Sequence, residues 1–399
     1  MTDRPPRILI VGAGVAGSLI ASGLRARDDV EAICLDKAAS ANHSDSGTGL
    51  NIGPNGIKAL QSAMPEVADA IVANAYPWRR WTIGLTNGRE LFDLDLFDVA
   101  DNPGVRIRWS ELYTLLRAPL GPAVTYSAEL SGCGRDERGL FAAYTDASGA
   151  ARTVDGVDLL ISADGRYSHM RKHFFGEDEP SFLGVCLYRV LFSVNDDCPI
   201  DDYGQWFNGA NRLLAFRVPG NFVYCAGSFT LPADGVIRDE MKTPEMLRGY
   251  YTPPDGKLSR QCGFLVDAIV RHADRIHWAR LQEGSVRYNG ESGVLLVGDS
   301  AHPMTPTLGQ GATQAVEDAC VVVDEIRKAL AAGESLAVVA DRVDARRRER
   351  VQFVVDFSRD ATDTMLPGAD PVAGTMRKLE PLFQDRLRRL YRDTPRAGA

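Results

Sequence analysis

The sequence predicts an α/β protein in which a Rossmann-type dinucleotide-binding domain holds an inserted mixed β-sheet domain and ends in helices. A glycine-rich turn joins an apolar strand to a helix at residues 12–17. The pattern changes to short β-type runs between residues 181 and 280, and apolar residues recur at helical spacing after residue 313. A chain of 399 residues has room for two or three domains and a large cofactor.

The composition excludes several classes of protein. Charged residues make up 25% and hydrophobic residues 45%, which is typical of a soluble globular protein, and the net charge of −8 argues against nucleic acid as a partner. Residues 8–24 carry no charge, but their spaced glycines argue against a membrane span. Seven scattered cysteines form no disulfide framework and favour the cytoplasm. His169 and His173 lack an acidic partner in register, so no metal site is expected.

The first element is a buried strand at residues 7–11, followed by the glycine turn and a helix. Gly12 permits the tight turn, Gly14 lets the backbone approach a pyrophosphate, and Gly17 allows close packing of helix on strand. Asp36 ends the next strand about 20 residues further on, where an acid binds a ribose diol. The motif predicts a bound dinucleotide but does not separate FAD from NAD.

Three further segments continue the domain. Residues 47–56 form a loop rich in glycine and turn-forming residues, which includes Gly49. Residues 78–96 alternate apolar and polar side chains and predict strands of a separate sheet. Residues 159–163 predict a buried strand that leads into Asp164 and Gly165 and then a helix.

The inserted sheet offers polar side chains to a substrate. Tyr188, Trp206, Arg212 and Tyr224 lie on its predicted strands. An arginine fork is the group expected to bind a carboxylate. Side chains alternate along a strand, so half of such residues point away from a bound substrate. Each of the four is therefore a candidate contact.

The last motif follows a buried strand at residues 294–297. Asp299 stands at the carboxyl end of this strand, where its carboxylate can accept hydrogen bonds from hydroxyl groups. Gly309 and Gly311 precede a helix whose first N–H groups and positive dipole end are free to face a negatively charged ligand.

These motifs resemble those of the class A single-component FAD-dependent aromatic hydroxylases, the family of p-hydroxybenzoate and salicylate hydroxylases. The resemblance covers residues 7 to roughly 390 and rests on Gly-x-Gly-x-x-Gly, on Ala-Asp-Gly…Ser…Arg, and on Gly-Asp…His…Pro…Gly-Gln-Gly. It implies that Asp299 holds the flavin ribityl chain and that Pro306 lies beside the oxygen-reacting carbon of the flavin. It also implies that the helix start at Gly311 faces the flavin pyrimidine edge and that His302 is a candidate base.

The cofactor contacts implied are Gly12, Gly14, Ala16, Gly17, Asp36, Lys37, Gly49, Arg108, Asp164, Gly165, Asp299, Pro306, Gly309, Gly311 and Ala312. Trp109 stands where the family has an arginine, so Arg106 or Arg108 is expected to substitute.

The activity implied is that of an FAD-dependent monooxygenase, an aromatic hydroxylase that uses NADH or NADPH and O2. It would hydroxylate a small electron-rich aromatic or N-heteroaromatic substrate through a flavin C4a-hydroperoxide. The order Trp206, Arg212, Tyr224 resembles the subset that acts on pyridine carboxylates. Three alternatives stay open: a flavin-dependent halogenase, a flavin reductase or oxidase, and a non-catalytic dinucleotide-binding sensor. A monomer or a homodimer is expected.

The resemblance divides the chain into alternating parts. Residues 1–74, 101–180 and 281–399 form the FAD-binding domain, the last part including the C-terminal helices. Residues 75–100 and 181–280 supply the substrate domain.

Overall fold

The computed structural model describes residues 4–43, 48–176 and 180–394, without the side chains of residues 290 and 291. The described residues form four sheets. The strands are β1 Arg7–Val11, β2 Glu31–Leu35, β3 Gly49–Ile52, β4 Tyr76–Trp78, β5 Arg80–Leu85, β6 Glu90–Asp95, β7 Gly104–Arg108, β8 Val124–Thr125, β9 Glu129–Asp136, β10 Gly139–Thr145, β11 Ala151–Val157, β12 Leu159–Ser162, β13 Ser181–Ser193, β14 Tyr203–Asn208, β15 Asn211–Val218, β16 Phe222–Thr230, β17 His277–Glu283, β18 Asn289–Glu291 and β19 Val294–Leu296.

The helices of the described residues are mostly short, with two long ones near the C-terminus. They are α1 Val15–Leu24, α2 Pro54–Ala63, α3 Pro65–Ala73, α4 Trp109–Arg117, α5 His169–Phe175, α6 Pro244–Tyr251, α7 Arg260–Arg271, α8 Gln310–Ala331, α9 Val338–Asp360, α10 Pro371–Arg377 and α11 Pro381–Arg392. The charge-free residues 8–24 fold as β1 and α1. Within the described part of the chain, no helix combines the length and apolar character needed to cross a bilayer.

A parallel sheet forms the base of the molecule. Its strands lie in the order β18, β19, β12, β1, β2, β8, and every neighbouring pair is parallel except β18 with β19. Ile8, Leu9 and Ile10 on β1 are fully buried because the sheet is covered on both faces. The order β8-β2-β1-β12-β19 is that of a Rossmann fold, in which ligands bind at the carboxyl ends of the central strands.

A seven-stranded mixed sheet lies beside it. Its order is β17, β13, β16, β15, β14, β5, β6, and within the described part of this sheet β14 and β5 form the one parallel pair. Residues 80–95 therefore join the same sheet as residues 181–283. Leu247 of α6 and Leu265 of α7 belong to the apolar cluster on one face of this sheet. Two three-stranded sheets, β3-β7-β4 and β11-β10-β9, complete the described strands.

Helix α8 is largely buried in the interior. It packs against α1, α2 and α9, and at Gly23 the approach to α1 is so close that a Cβ there would lie 2.6 Å from the Val323 side chain. The start of α8 is thereby held beside the carboxyl ends of β1 and β12. The expected fold class, a Rossmann-type α/β domain combined with a mixed sheet and C-terminal helices, is confirmed.

Candidate functional site

One cavity of about 640 Å³ lies where the two main sheets and the start of α8 meet. Its size suits a small-molecule or cofactor site, and its position is the one that the Rossmann topology predicts. Four arginines line it, Arg166, Arg189, Arg212 and Arg280, against the single carboxylate of Asp299 among the described residues. This excess of positive charge favours anionic ligands.

The glycine turn after β1 has the shape of a phosphate cradle. Gly12 has a φ of +103°, and a Cβ there would lie 2.3 Å from the carbonyl oxygen of Ala163. A Cβ on Gly17 would lie 1.8 Å from the Gly12 oxygen, whereas a Cβ on Gly14 would meet nothing closer than 4.0 Å. Gly12 and Gly17 are thus required by the fold, while Gly14 borders the cavity and leaves space for a ligand. Helix α1 begins there without a side-chain cap, which leaves its first N–H groups free for an anion.

Asp36 and Arg117 hold the outer side of this cradle. Asp36 accepts hydrogen bonds from the backbone N–H groups of Ala13 (2.5 Å) and Ala38 (2.7 Å). Arg117 donates to the Ala13 oxygen at 2.7 Å and lies 3.8 Å from the Asp36 carboxylate. Asp36 thereby ties the end of β2 to the glycine turn. Lys37 is exposed and lies outside the cavity.

The start of α8 forms the opposite wall. Gly309 precedes the helix with a φ of +64°, no side chain caps it, and no acidic residue occupies its first turn. Pro306, Gly309, Gly311 and Ala312 line the cavity. The positive end of the helix dipole therefore faces the cavity without a competing protein anion.

Asp299 lies beside this helix start. A Cβ on Gly311 would be 3.6 Å from an Asp299 carboxylate oxygen, and the Nε of Arg166 is 3.8 Å from the other. The carboxylate is partly exposed into the cavity. Together, the open Gly14 turn, the uncapped α8 and the Asp299 carboxylate fit FAD. Its pyrophosphate, flavin edge and ribityl hydroxyls need these three kinds of group.

Asp164 is hydrogen-bonded within the turn that follows β12. Its carboxylate accepts hydrogen bonds from the Ser162 hydroxyl (2.5 Å) and from the backbone N–H of His169 (3.0 Å). It thus holds the turn between β12 and α5, and the expectation that it contacts the cofactor stays a prediction. Its neighbours Gly165 and Arg166 line the cavity instead.

The substrate-facing wall belongs to the mixed sheet. Arg212, Leu214 and Phe216 alternate along β15 on the cavity side, and Tyr224 on β16 is paired with Phe216. Their rings lie 4.9 Å apart between centroids. The Arg212 side chain is only 3% exposed, yet it makes no hydrogen bond or ion pair with any described residue, and its Nε is buried without a partner.

Burial lowers the pKa of the Arg212 guanidinium and raises that of the Tyr224 phenol to about 12. Tyr224 therefore keeps its proton at neutral pH and can donate a hydrogen bond. Arg212 remains charged, because arginine is not deprotonated in proteins.

Trp206 lies on the other face of the sheet. It pairs with Leu213 and packs against the apolar cluster under α6 and α7, because successive residues on a strand point to opposite faces. Tyr188 forms part of the cavity wall, but its hydroxyl donates a 2.7 Å hydrogen bond to the Tyr251 hydroxyl. The structure thus brings Arg212 and Tyr224 to the cavity. The expectation for Trp206 is corrected, whereas that for Tyr188, which lines the cavity, stays a prediction.

His302 is buried behind the cavity wall. Its Nε2 lies 2.7 Å from a carboxylate oxygen of Asp318, its ring packs near Tyr288, and it does not line the cavity. The Tyr288 hydroxyl donates to the same carboxylate at 2.7 Å. The expectation that His302 acts as a catalytic base is corrected, because the loop after Asp299 turns its ring into the protein.

A buried ionic cluster continues from Asp318. Arg347 donates to Asp318 (2.8 Å) and Glu317 (2.6 Å), and Arg350 donates to Glu317 (2.6 Å). Asp318 also accepts a hydrogen bond from the backbone N–H of Gly298 at 2.8 Å. The cluster ties α9 to α8 and fixes the residue that precedes Asp299.

The expected substitute for the missing family arginine lies elsewhere. Arg108 donates to Glu111 at 2.6 Å and stacks on Phe222 at 5.1 Å, and Arg106 is buried against backbone oxygens outside the cavity. Arg108 is bonded to α4 and Arg106 to the backbone oxygens of Pro77 and Asp201, so the expectation for Arg108 finds no support in this geometry. Trp109 itself lines the cavity, together with Tyr113, whose ring centroid lies 5.3 Å from its own.

The glycine-rich loop reaches the cavity through β3. Gly49, Leu50 and Asn51 line it, whereas Gly47 lies outside the described residues. Asn51 has no role in the sequence-based expectations. The sequence feature that could have predicted Asn51 is its position two residues after Gly49, because residues two apart on a strand lie on the same face. Arg166 and Phe216 are also unanticipated wall residues, the first next to Gly165 and the second four residues after Arg212.

Metal binding finds no support in the side-chain geometry. Among residues 4–43, 48–176 and 180–394, no group of three or more His, Cys, Asp or Glu side chains could hold an ion. His169 is exposed on α5, and the His173 ring packs on Phe174.

Comparison with known proteins shows what the chain is similar to. A family model described as an FAD binding domain matches residues 264–358. A 3-amino-4-hydroxybenzoate 2-monooxygenase of Streptomyces platensis is 27% identical over 336 residues, covering 81% of this chain and 80% of the relative. A 6-hydroxynicotinate 3-monooxygenase of Bordetella bronchiseptica is 24% identical over 338 residues, covering 79% of this chain and 82% of the relative.

Solved structures share the fold. Klebsiella pneumoniae HpxO, crystallised with FAD and uric acid, has a TM-score of 0.82 at 20% identity, covering 98% of this chain and 97% of HpxO. The 2,6-dihydroxypyridine-3-hydroxylase of Arthrobacter nicotinovorans has a TM-score of 0.73 at 19% identity, covering 92% of this chain and 95% of the hydroxylase. The resemblance to the class A single-component aromatic hydroxylases is confirmed, and the chain is an FAD-dependent monooxygenase.

Proposed function

We propose that the chain hydroxylates a small, electron-rich aromatic or N-heteroaromatic ring that carries an anionic substituent, a pyridine carboxylate being one such substrate. The observation behind the proposal is Arg212, a buried cation at the cavity without a counter-charge among the described residues. A buried, unpaired charge is costly, so an anionic ligand that pairs with it gains a strong interaction.

The chemistry of the wall supports this substrate class. An arginine fork matches a carboxylate or ring oxyanion through two parallel hydrogen bonds. The Tyr224 phenol, protonated at neutral pH, supplies a second donor. Phe216 and Leu214 on the same face offer apolar surface to an aromatic ring. The two relatives compared above are named for substrates that are aromatic carboxylates.

We assign FAD to the cofactor end of the cavity, held by the turn at Gly12 and Gly14, by Asp299 and by the start of α8 at Gly311. The chemistry that bound FAD supplies is acceptance of a hydride from NADH or NADPH and activation of O2. The protein contributes orientation through Arg212, an electropositive helix start and a wall that limits access of water to the reacting ring.

Turnover in the presence of ¹⁸O2 tests the proposal. The chain, reconstituted with FAD, is given NADH or NADPH and one of three probes: 6-hydroxynicotinate, 3-amino-4-hydroxybenzoate or urate. We expect a product that contains one ¹⁸O atom from at least one carboxylate probe. Oxidation of NAD(P)H with release of hydrogen peroxide alone indicates an oxidase, a halogenated product indicates a halogenase, and failure of both nucleotides to reduce the flavin indicates a sensor. Each of these results contradicts the proposal.

Arg212→Met tests the anchoring residue. We expect the dissociation constant of a carboxylate probe, titrated by the flavin absorbance, to rise about 30-fold or more, because truncating one partner of a buried charge pair is expensive. Arg217→Met is the matched control, since Arg217 lies on the same strand but outside the cavity and donates to Asn221 at 3.2 Å. Equal affinities in the two variants would remove Arg212 from the substrate site.

We also infer a cytoplasmic protein that is a monomer or a homodimer. All seven cysteines are free, which suits a reducing compartment. Fractionation of the native host and light scattering of the purified holoenzyme test the two statements.

A further inference from the structure

We propose that the Asn51 side-chain amide is a specificity-determining contact of the substrate ring, on a different strand of the cavity wall from Arg212. This inference rests on the proposed function. Asn51 is 9% exposed, its Nδ2 is buried without a hydrogen-bond partner, and the residue lines the cavity. Buried amide donors are normally satisfied, so a buried donor that borders a cavity indicates a ligand acceptor.

Asn51 lies between the substrate wall, which carries Tyr224, and the cofactor wall at the start of α8. Gly49 and Asn51 share one face of β3 because strand side chains alternate. A Cβ on Gly49 would lie 2.8 Å from the Tyr224 Cβ, which places that end of the strand against the substrate wall. A Cβ on Gly309 would lie 2.4 Å from the Asn51 Nδ2, which places the amide at the start of α8. The amide therefore lies where the substrate wall meets the cofactor wall.

The local structure holds the amide in place. β3 pairs in register with β7, Asn51 lying opposite Arg106, and Gly53 donates its N–H to the Thr313 hydroxyl of α8 at 2.9 Å. Gly309 has no side chain, and any Cβ there would collide with the amide. The backbone on both sides is thus held, and the amide is packed against Gly309 beside the cavity.

The chemistry of an amide defines what it recognises. Arg212 is a cation that suits a carboxylate, whereas a neutral N–H donor suits a ring hydroxyl, ring carbonyl or ring oxyanion. A substrate with an anionic substituent at one side and an oxygen substituent at the other would contact both residues. Two polar contacts at opposite ends of the ring fix its orientation, and thus decide which carbon faces the cofactor.

Two substitutions at residue 51 separate the roles. Asn51→Leu removes the amide at similar size, and Asn51→Asp keeps the shape but replaces the N–H donors with a negative charge. Asn74→Asp is the matched control, because Asn74 is exposed at the end of α3. All three are measured as holoenzymes for FAD content, for the dissociation constants of 6-hydroxynicotinate and 3-amino-4-hydroxybenzoate, and for hydroxylated product per NAD(P)H consumed.

We expect Asn51→Leu to raise the dissociation constant of the better probe about 10-fold, with a larger rise in Asn51→Asp. Product per NAD(P)H should fall in both variants, while FAD content and the Asn74→Asp control match wild type. If Asn51→Leu binds both probes and forms hydroxylated product per NAD(P)H as wild type does, this inference is wrong while the proposed function stands. Loss of FAD from that variant would assign the amide to the cofactor and overturn it as well. A wild-type holoenzyme that binds neither probe would overturn the proposed function, and this inference with it.

Discussion

Arg212 and Asn51 are alike in one respect, since each buries a nitrogen donor at the cavity without an acceptor from the described protein residues. A folded chain rarely tolerates this without a ligand to complete the hydrogen bonding. The two donors come from separate sheets and different parts of the chain. Their common orientation toward one cavity is the residue-scale basis for an anionic, oxygen-substituted ring as substrate.

Tyr224→Phe tests the neutral donor at the same scale. The change removes one hydroxyl, leaves the ring that packs on Phe216, and should raise the dissociation constant of a carboxylate probe about 5-fold. Because burial raises the pKa of this phenol to about 12, the wild-type hydroxyl keeps its proton up to about pH 11. The difference between wild type and variant should therefore be constant from pH 6 to pH 9, and a difference that vanishes within that range would contradict the assignment.

At the scale of elements, the turn between β1 and α1 separates a structural glycine from a ligand-facing one. Gly17→Ala places a methyl 1.8 Å from the Gly12 oxygen and should lower the free energy of unfolding by roughly 3 kcal/mol. Gly14→Ala places its methyl in open space and should leave the apoprotein stable but weaken FAD binding. Urea unfolding of the apoproteins and FAD titration measure the two effects. Equal loss of stability in both variants would contradict the distinction.

The buried cluster between α8 and α9 is the second element-scale feature. Arg347→Met removes the buried arginine that bridges Glu317 and Asp318, leaves Arg350 as the remaining charged partner of Glu317, and should lower the free energy of unfolding by about 3–5 kcal/mol. Arg348→Met on the same helix removes only an exposed pair with Asp344 and should change it by about 0.5 kcal/mol or less. The midpoints of urea unfolding of the two variants measure this difference in stability. Similar midpoints would show that the cluster does not stabilise the fold.

Local chemistry explains which parts of the site could be predicted from the sequence. The glycine turn, Asp299 and the start of α8 were predictable because turn geometry and helix ends follow from neighbouring residues. Trp206 was not, because its orientation depends on the phase of a strand in which Gln205 and Phe207 are equally good inward residues. His302 was misjudged because its partner, Asp318, comes within hydrogen-bond distance only once the chain has folded.

At the scale of the whole molecule, the buried ionic cluster between α8 and α9 predicts how the free energy of unfolding depends on pH. Burial alone would raise the pKa of Glu317, but Arg350 and Arg347 outweigh it and lower the pKa to about 2. A carboxylate with a lowered folded-state pKa stabilises the protein above its unfolded-state value of 4.5, and this stabilisation is lost as the pH falls toward 2. The urea midpoint should therefore be steady from pH 7 to about 5 and fall below it. A midpoint that rises on acidification would contradict this.

The central claim is that the turn at Gly14 and the distant segment that carries Asp299 and Gly311 fold into one site for a single FAD. The measurement that tests it most directly is the FAD content of the reconstituted protein after gel filtration, read from its visible absorbance. The account predicts one FAD per chain in wild type and a large loss of colour in Asp299→Ala, with the fold unchanged by circular dichroism. A wild-type protein that stays colourless, or an Asp299→Ala variant that keeps its full colour, would contradict it.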